Sequence, residues 1–331
     1  MQFIQHFKWI PVLLSLLVLC VPVLSSAAES AGPEYDPSTL TYDLVWADEF
    51  DTDGLPDPAR WTYNTGGNGW GNGEQQYYMT EGNAAVENGI LTIELREEKK
   101  DNSTWYSSAR MLTKGLGDWL YCKIEVRAKL PTGRGTWPAI WMLPTDRVYG
   151  DWPASGEIDI MEHVGYDPDV VVQSLHTKKN SGGSAITLST PIPGATEDFH
   201  VYGMEWLPDR IIFTIDGAET HTYEKPEVAE GEKLSNYWPF DQRMHLLINL
   251  AWGGSWGGRE GTDKPICSRR SISRRRTKCW KSLPISGRKK RKKSWWTIRG
   301  RSRSRWRRSG CSRNIRRERT PSSLSGTTRR T

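Results

Sequence analysis

Alternating polar and apolar residues mark several short stretches of this chain, and Gly, Pro and Asn turns separate them. In residues 121–130 (YCKIEVRAKL), every second position from Ile124 to Leu130 is apolar and the positions between them are charged. A period of two places the apolar side chains on one face of a β-strand, whereas a helix needs a period near ~3.6. This stretch is therefore predicted to be a half-buried strand, and residues 89–96 (GILTIELR) are predicted to form another.

Two further stretches favour an all-β fold. Residues 210–223 (RIIFTIDGAETHTY) predict a hairpin that turns at Asp216-Gly217. Residues 244–251 (MHLLINLA) form a nearly continuous apolar run, which is typical of a strand in the middle of a sandwich. No stretch shows a convincing helical period. Many short strands with regular turns between them predict an antiparallel sandwich of two sheets.

Charge divides the chain into two parts. Residues 264–331 hold 26 of the 45 Lys and Arg residues but only one of the 39 acidic residues, Glu318. The overall charge of +6 therefore describes neither the acidic part of the chain nor its basic tail. Because the tail has no periodic apolar face, we expect it to be disordered. Three interpretations of the tail remain open. It is a basic arm that binds nucleic acid or another acidic surface, it is a linker or anchor, or it is the product of a shifted reading frame.

The first 27 residues have the pattern of an export signal. Lys8 precedes an apolar run over residues 9–23, and the small residues 25–28 (SSAA) follow as a cleavage site. The run is shorter than the ~20 apolar residues that span a bilayer, so we expect no membrane anchor. Residues 28–263 have the length of one large β domain, and their only cysteine, Cys122, excludes a disulfide within that domain. The sequence thus predicts a secreted, extracellular domain.

Residues 156–165 (GEIDIMEHVG) place three carboxylates close together in an apolar stretch. Glu157 and Asp159 follow the two-residue period of a strand and share one face. Glu162 comes one position too late for that face. A β-bulge at Ile160-Met161 would insert one residue and return Glu162 to the face of the other two. Either such a bulge is present or Glu162 faces away from the other two carboxylates.

A row of carboxylates is unfavourable in a strand, because like charges repel and desolvation is costly. Hydrolysis of a glycosidic bond uses two such groups, one ionised and one with a raised pKa that protonates the leaving oxygen. With the bulge discounted, Glu157 and Glu162 would be about 13 Å apart at their Cα atoms, at ~3.3 Å for each position. Inward-leaning side chains would approach the ~5–5.5 Å typical of retaining enzymes. The alternative is a strand with solvated acids on its outer face.

Residues 156–162 resemble the signature of glycoside hydrolase family 16 in its bulged form, Glu-x-Asp-x-x-Glu. The resemblance covers about residues 46–258 and includes residues 46–50 (WADEF), 64–78 (NTGGNGWGNGEQQYY) and 135–144 (GTWPAIWMLP). These stretches are most similar to the laminarinase-like branch, whose members mostly cleave internal β-1,3 bonds of β-glucans with retention. The resemblance implies a curved jelly-roll sandwich with the acids on its concave face.

The resemblance also implies roles for individual residues. Glu157 matches the nucleophile of the family, Asp159 the assisting acid and Glu162 the general acid/base. Further residues are expected to contact substrate in the cleft, namely Trp137, Trp141, His176, Asn68, Trp70, Glu74 and Arg110. The alternatives are core packing for the tryptophans, a structural role for the histidine, and turn or surface positions for the others. Trp119 and Trp152 fit an outer subsite and the core equally well.

The resemblance fails at the C-terminal end. Family members usually continue with another strand, and an acid in that strand can join a calcium site on the convex face. Here the basic tail begins where that strand is due, so we expect the strand to be missing. This favours the shifted reading frame, which translation of the other frames beyond codon 263 would test, and argues against a structural calcium site. Since no second histidine stands at metal-ligand spacing from His176, we expect no catalytic zinc and no required cofactor.

Together these features predict a secreted, monomeric endo-β-1,3-glucanase whose partner is a β-glucan polysaccharide, although the missing strand puts the activity of this chain in question. The acidic body suits a neutral polysaccharide better than a charged one. The alternatives are a β-glucan-binding protein without activity, a hydrolase of β-1,3/1,4-glucan or algal galactan, and a tail that binds nucleic acid. Binding proteins on this scaffold typically lack one or both catalytic acids, whereas all three are present here.

Overall fold

The structure, a computed structural model, describes residues 40–263 and 271–282. Within these ranges, no helix is long and apolar enough to cross a membrane. The described part of the chain contains two 3-10 turns, Gly182–Ser184 and Leu234–Asn236. The strands are β1 (Tyr42–Asp48), β2 (Thr62–Asn64), β3 (Gln76–Tyr78), β4 (Ala84–Glu87), β5 (Ile90–Ile93), β6 (Arg96–Lys100), β7 (Ser103–Ser108), β8 (Arg110–Leu112), β9 (Asp118–Trp119), β10 (Cys122–Ala128), β11 (Thr136–Pro144), β12 (Glu157–Glu162), β13 (Val170–His176), β14 (Ile186–Pro191), β15 (His200–Trp206), β16 (Arg210–Ile215), β17 (Ala218–Glu224), β18 (Met244–Trp252) and β19 (Ser271–Ser282).

Two eight-stranded sheets form the body of the domain. Sheet A has the order β17-β16-β15-β10-β19-β5-β4, with β1 also paired to β19. Sheet B has the order β14-β13-β12-β11-β18-β8-β2, with β9 also paired to β18. A small third sheet, β3-β7-β6, contains the parallel pair β3 and β7, whereas every described pair in sheets A and B is antiparallel. The expected all-β, antiparallel two-sheet sandwich is confirmed.

The core lies between the two sheets and follows the hydrophobic pattern of the sequence. In β10 of sheet A, alternate residues from Cys122 to Ala128 are buried and the charged residues between them are half-buried. Cys122 itself is a free, buried thiol. In β18 of sheet B all nine residues are buried, as expected of an apolar run in the middle of a sandwich. The opposite face of sheet B carries the polar side chains that form the site described below.

Strand β19 lies in the basic tail, where the sequence predicted disorder and a missing strand. Its residues Ser271–Ser282 pair with β10 on one side and with β5 and β1 on the other. For these twelve residues both expectations are wrong. The physical reason is that β10, β5 and β1 would otherwise present unpaired main-chain groups, and main-chain pairing does not require a particular side-chain pattern.

Several predictions lie outside the described residues. The export signal in residues 1–27 is one of them. The disorder expected of residues 264–270 and 283–331 is another, as are the nucleic-acid-binding and shifted-frame interpretations of the tail. These remain predictions.

Removal of β19 is expected to destroy cooperative folding. A variant that ends at Asp263 removes the described partner strand of β1 and leaves one edge each of β10 and β5 unpaired, and a domain has only ~5–15 kcal/mol of net stability to lose. We expect this variant to aggregate and to lack a thermal unfolding transition in circular dichroism. A variant that ends at Ser282 retains the strand and is the matched control. Identical unfolding of the two variants would contradict a structural role for β19.

Candidate active site

The three carboxylates of the 156–165 stretch lie on β12, and this strand contains the expected bulge. Asp159 and Glu162 are three positions apart, but their partners on β13 are only two positions apart. The extra residue lies at Ile160-Met161, and both of these side chains are buried in the core. Glu162 therefore returns to the side of Glu157, close enough for each carboxylate to influence the pKa of its neighbours. The predicted bulge is confirmed.

Glu157 lies at the start of β12, opposite His176 of β13. Its Oε2 accepts a 2.8 Å hydrogen bond from the indole Nε1 of Trp152. The Trp152 side chain is 54% exposed, and its ring lies 5.9 Å from the His176 ring. Trp119, in contrast, packs against the core and meets Trp46 edge-on. Of these two tryptophans, only Trp152 borders the carboxylates.

Asp159 is buried between its neighbours and faces His176. Its Oδ2 lies 3.1 Å from Nε2 of His176. The other ring nitrogen, Nδ1, accepts a 3.1 Å hydrogen bond from the main-chain N–H of Gly182. Since an Nδ1 that accepts carries no proton, the proton of the neutral ring is on Nε2, the nitrogen that lies beside Asp159 Oδ2. The N–H edge of the histidine thus lies next to the central carboxylate of the row.

The same cluster has the composition of a possible metal site. Glu157, Asp159 and His176 each offer a ligand atom, and these atoms lie within 4.8 Å of one another. A metal would need the Nε2 lone pair of His176, but the hydrogen bond from Gly182 places the proton on that nitrogen. The arrangement therefore fits proton exchange between carboxyls better than it fits metal binding.

Glu162 ends β12 and is held by a second indole. Its Oε1 accepts a 2.9 Å hydrogen bond from Nε1 of Trp137, a residue of β11. The Trp137 ring meets Trp256 edge-on at 5.3 Å between ring centroids. Each glutamate of the row therefore has its own indole donor, Trp152 for Glu157 and Trp137 for Glu162. Each donor fixes the orientation of one carboxylate.

Burial raises the pKa of all three carboxyls. It is the main cause that raises the pKa of Glu157 to about 8, with the charge of Asp159 as the next contribution. Burial likewise raises the pKa of Glu162 to about 7, although the hydrogen bond from Trp137 opposes this. The pKa of Asp159 is raised well above its usual value by burial and by the charge of Glu162. At neutral pH the cluster therefore retains protons and contains both acid and base forms.

Arg110 of β8 is held between two aromatic rings beside the carboxylates. Its guanidinium carbon lies 4.7 Å from the ring centroid of Trp70 and 4.6 Å from that of Trp141. Burial lowers the pKa of Arg110, while the charges of nearby groups, including Glu74 and Glu157, raise it. Arginine stays charged in such a setting. The stack brings together three predicted cleft residues from β8, β11 and the Gly-rich loop.

Glu74 is engaged with protein partners that lead to the same stack. Its Oε2 accepts hydrogen bonds from Nε2 of Gln76 at 2.6 Å and from the hydroxyl of Tyr78 at 3.2 Å. The Tyr78 hydroxyl accepts one from Nδ2 of Asn249 at 3.1 Å, and Oδ1 of Asn249 accepts one from Nε1 of Trp141 at 2.7 Å. Glu74 therefore orients Trp141 through this chain of hydrogen bonds.

The remaining predicted residue, Asn68, lies on the exposed part of the Gly-rich loop. No contact that the structure describes for Asn68 connects it to the carboxylates. Sequence reasoning missed Asn249 and Tyr78. The signal for Asn249 was a lone amide within the apolar run 244–251, since buried polar side chains require partners. Tyr78 gave no comparable signal.

Comparison with known proteins places the chain in a family. The family model for glycosyl hydrolases family 16 matches residues 72–266. A beta-glucanase from Rhodothermus marinus is 46% identical over 257 residues, covering 76% of this chain and 87% of the relative. A glucan endo-1,3-beta-glucosidase from Cryptopygus antarcticus is 39% identical over 230 residues, covering 66% of this chain and 84% of the relative. The solved structure of the laminarinase from Rhodothermus marinus matches with a TM-score of 0.69 at 44% identity, covering 74% of this chain and 100% of that one. The chain belongs to family 16 of the glycosyl hydrolases.

Proposed function

We propose that this protein is a secreted, retaining endo-β-1,3-glucanase. The observation that carries the proposal is the arrangement on β12, where Glu157 and Glu162 flank the buried Asp159 and each accepts an indole hydrogen bond. Cleavage of a glycosidic bond requires two carboxyls with different roles, one protonated as the acid and one ionised as the nucleophile, and the raised pKa of Glu162 suits the acid. The names of the relatives described above, glucan endo-1,3-beta-glucosidase and laminarinase, support a β-1,3-glucan as the substrate.

In the first step, Glu157 attacks the anomeric carbon while Glu162 donates its proton to the leaving glycosidic oxygen. Glu162, with a pKa of about 7, is partly protonated at neutral pH and can act as this acid. For this attack the proton shared by Glu157 and Asp159 has to move onto Asp159, whose pKa burial raises well above its usual value. Glu157 then reacts as the carboxylate. The products are a shortened glucan and a glycosyl ester on Glu157.

In the second step, Glu162 is the base. It takes a proton from water, the water oxygen bonds to the anomeric carbon, and the ester bond to Glu157 breaks. Two displacements restore the original configuration. Both glutamates return to their starting protonation states.

A binding protein without activity is a weaker explanation of this site. Recognition of a neutral polysaccharide does not need three clustered carboxylates, whose desolvation costs free energy. A reaction that moves protons does need them. The carboxylate cluster therefore favours catalysis over binding alone.

The test is release of reducing ends from laminarin by the whole chain beside a Glu157→Gln variant. Parallel assays use a mixed β-1,3/1,4-glucan and a carrageenan. We expect laminarin cleavage with an early fall in chain length, β-anomers as the first products in NMR, and no activity in the variant. Preference for either other polysaccharide would overturn the substrate assignment, and first products of the α configuration would overturn retention.

Export is proposed from the apolar run at residues 9–23 and the small residues that follow it. N-terminal sequencing of protein recovered from the culture medium of an expressing cell is expected to begin near residue 28. Full-length protein retained inside the cell would contradict export.

Replacement of Trp137 by Phe is expected to shift the pH dependence of the reaction. Loss of the indole N–H removes a hydrogen bond that stabilises ionised Glu162, so the pKa of Glu162 rises. Hydrogen bonds to charged groups are worth ~1.5–3 kcal/mol, which corresponds to about one pH unit or more. The alkaline limb of kcat/KM on laminarin should move upward by that amount.

The matched control is Trp141→Phe, because the indole N–H of Trp141 is donated to Asn249 and not to Glu162. This variant is expected to bind substrate more weakly with the alkaline limb unmoved. Equal shifts in the two variants would contradict a specific effect of Trp137 on Glu162.

A further inference from the structure

The bulge of β12 is held by a buried side chain from the neighbouring strand. Gln173 of β13 lies opposite Ile160-Met161, and its side chain is only 1% exposed. Its Nε2 donates a 3.0 Å hydrogen bond to the main-chain oxygen of Ile160. A bulge disrupts the hydrogen-bond ladder and leaves main-chain groups without ladder partners. The Gln173 amide provides a partner for one of these groups inside the core.

The other end of the Gln173 amide reaches sheet A. Its Oε1 accepts a 2.5 Å hydrogen bond from the hydroxyl of Thr220 on β17. Neighbouring residues of β16 pair with His221 and with Glu219, so Thr220 between them is the extra residue of a second bulge. One side chain therefore links a bulge in sheet B to a bulge in sheet A. Glutamine suits this position because it has a donor and an acceptor at one end of a long side chain.

The bulge matters because it decides which way Glu162 faces. If residues 157–162 were paired as a regular strand with no bulge, the period of two would turn Glu162 away from Glu157 and Asp159. Glu162 lies two positions beyond Ile160, whose carbonyl Gln173 holds. An apolar side chain at position 173 would leave that buried carbonyl unpaired. The pairing register of β12 with β13 near the bulge would then be less fixed, and so would the direction of the Glu162 side chain.

We propose that Gln173 and Thr220 act as a positioning pair that fixes the β12 bulge and so aims Glu162 at the glycosidic oxygen. The proposal rests on the proposed function and deepens it, because neither residue contacts the carboxylates. Both act through the main chain of β12. Their loss should affect the step that uses the proton of Glu162 more than the other steps.

The experiment compares two substrates that differ in their need for that proton. Laminarin has a poor leaving group and requires protonation, whereas 2,4-dinitrophenyl β-laminaribioside releases a stable phenolate without it. We expect Gln173→Met, which keeps the length but lacks the amide, to lower kcat/KM on laminarin by about 10- to 100-fold. The kcat/KM on the dinitrophenyl substrate should change by less than about threefold, since that quantity ends with the first step.

Thr220 supplies a second, more distant test. Thr220→Val removes the hydroxyl that holds Gln173, while Thr220→Ser keeps it. The quantity compared is kcat/KM on laminarin divided by kcat/KM on the dinitrophenyl substrate. We expect Thr220→Val to lower this ratio by about 3- to 10-fold. The loss is smaller than in Gln173→Met because the hydrogen bond from Gln173 to Ile160 remains. Thr220→Ser should restore the wild-type ratio. Thermal unfolding of each variant shows that the protein measured is folded.

The outcomes separate this proposal from the proposed function. A wild-type chain that cleaves neither substrate overturns the proposed function. An active wild type whose ratio is unchanged in Gln173→Met overturns the positioning pair alone, and reduced stability with an unchanged ratio does the same. If Gln173→Met does not fold, the comparison of Thr220→Val with Thr220→Ser decides, and equal ratios in those two variants overturn the proposal.

Discussion

Replacing Glu157 with Gln is expected to reduce laminarin hydrolysis to background, a loss of about 10⁴-fold or more in kcat. The amide has the size of the carboxyl but cannot form a glycosyl ester. The loss therefore exceeds the ~10²–10⁴-fold that general acid–base catalysis contributes. Reducing-end release from laminarin measures it. Glu227→Gln, which neutralises an exposed glutamate, is the matched control and should retain wild-type activity.

A second measurement on this position identifies the role of Glu157 directly. In Glu157→Ala, azide can enter the space of the missing carboxylate and bond to the anomeric carbon as the leaving oxygen takes the proton of Glu162. One displacement inverts configuration, so the product should be the α-glycosyl azide. A β-glycosyl azide from this variant would show that Glu157 is not the nucleophile.

Replacing Glu162 with Ala is expected to slow the cleavage of substrates with a poor leaving group much more than the cleavage of substrates with a good one. On laminarin, kcat/KM should fall by ~10²–10⁴-fold, the usual contribution of a general acid. On 2,4-dinitrophenyl β-laminaribioside, kcat/KM should stay close to wild type, while kcat falls because water is no longer deprotonated. Azide should then restore kcat and yield the β-glycosyl azide, since Glu157 has already inverted the centre once. The α-azide, or equal losses on both substrates, would contradict the assignment.

The same variant tests the pH dependence. Burial raises the pKa of Glu162 to about 7, and the protonated form is the active one in the first step. Wild-type kcat/KM on laminarin should therefore fall as the pH rises through about 7. In Glu162→Ala this alkaline limb should be absent from the residual kcat/KM on laminarin. If the alkaline limb persists in this variant, it reports the titration of a group other than Glu162.

The sequence alone determined the features that depend on local spacing. A period of two identified β10, and the apolar run of residues 244–251 identified β18, because burial on one or both faces of a strand follows directly from the side-chain pattern. The one-residue offset of Glu162 from Glu157 and Asp159 indicated either a bulge or an outward-facing Glu162, and the family resemblance favoured the bulge that the structure contains. Their identification as active-site acids also used a family resemblance.

The tertiary structure decided every feature that joins residues distant in sequence. Arg110 lies between Trp70 and Trp141 because sheet order brings β8 and β11 to either side of β18. No local pattern encodes that neighbourhood. The same holds for Glu74, which the sequence predicted as a sugar contact and which the fold connects to Trp141 through protein hydrogen bonds.

Two features, strand β19 and the side chain of Gln173, show why local sequence patterns do not identify tertiary partners. The basic residues of β19 gave no strand pattern, yet the main chains of β10, β5 and β1 bind them, since main-chain hydrogen bonds carry no side-chain signature. Gln173 shares its face of β13 with Val171 and Leu175, and only the fold shows that it faces one bulge and reaches another through Thr220. Periodicity reports the face on which a side chain lies, whereas its partners are set by which strands become neighbours.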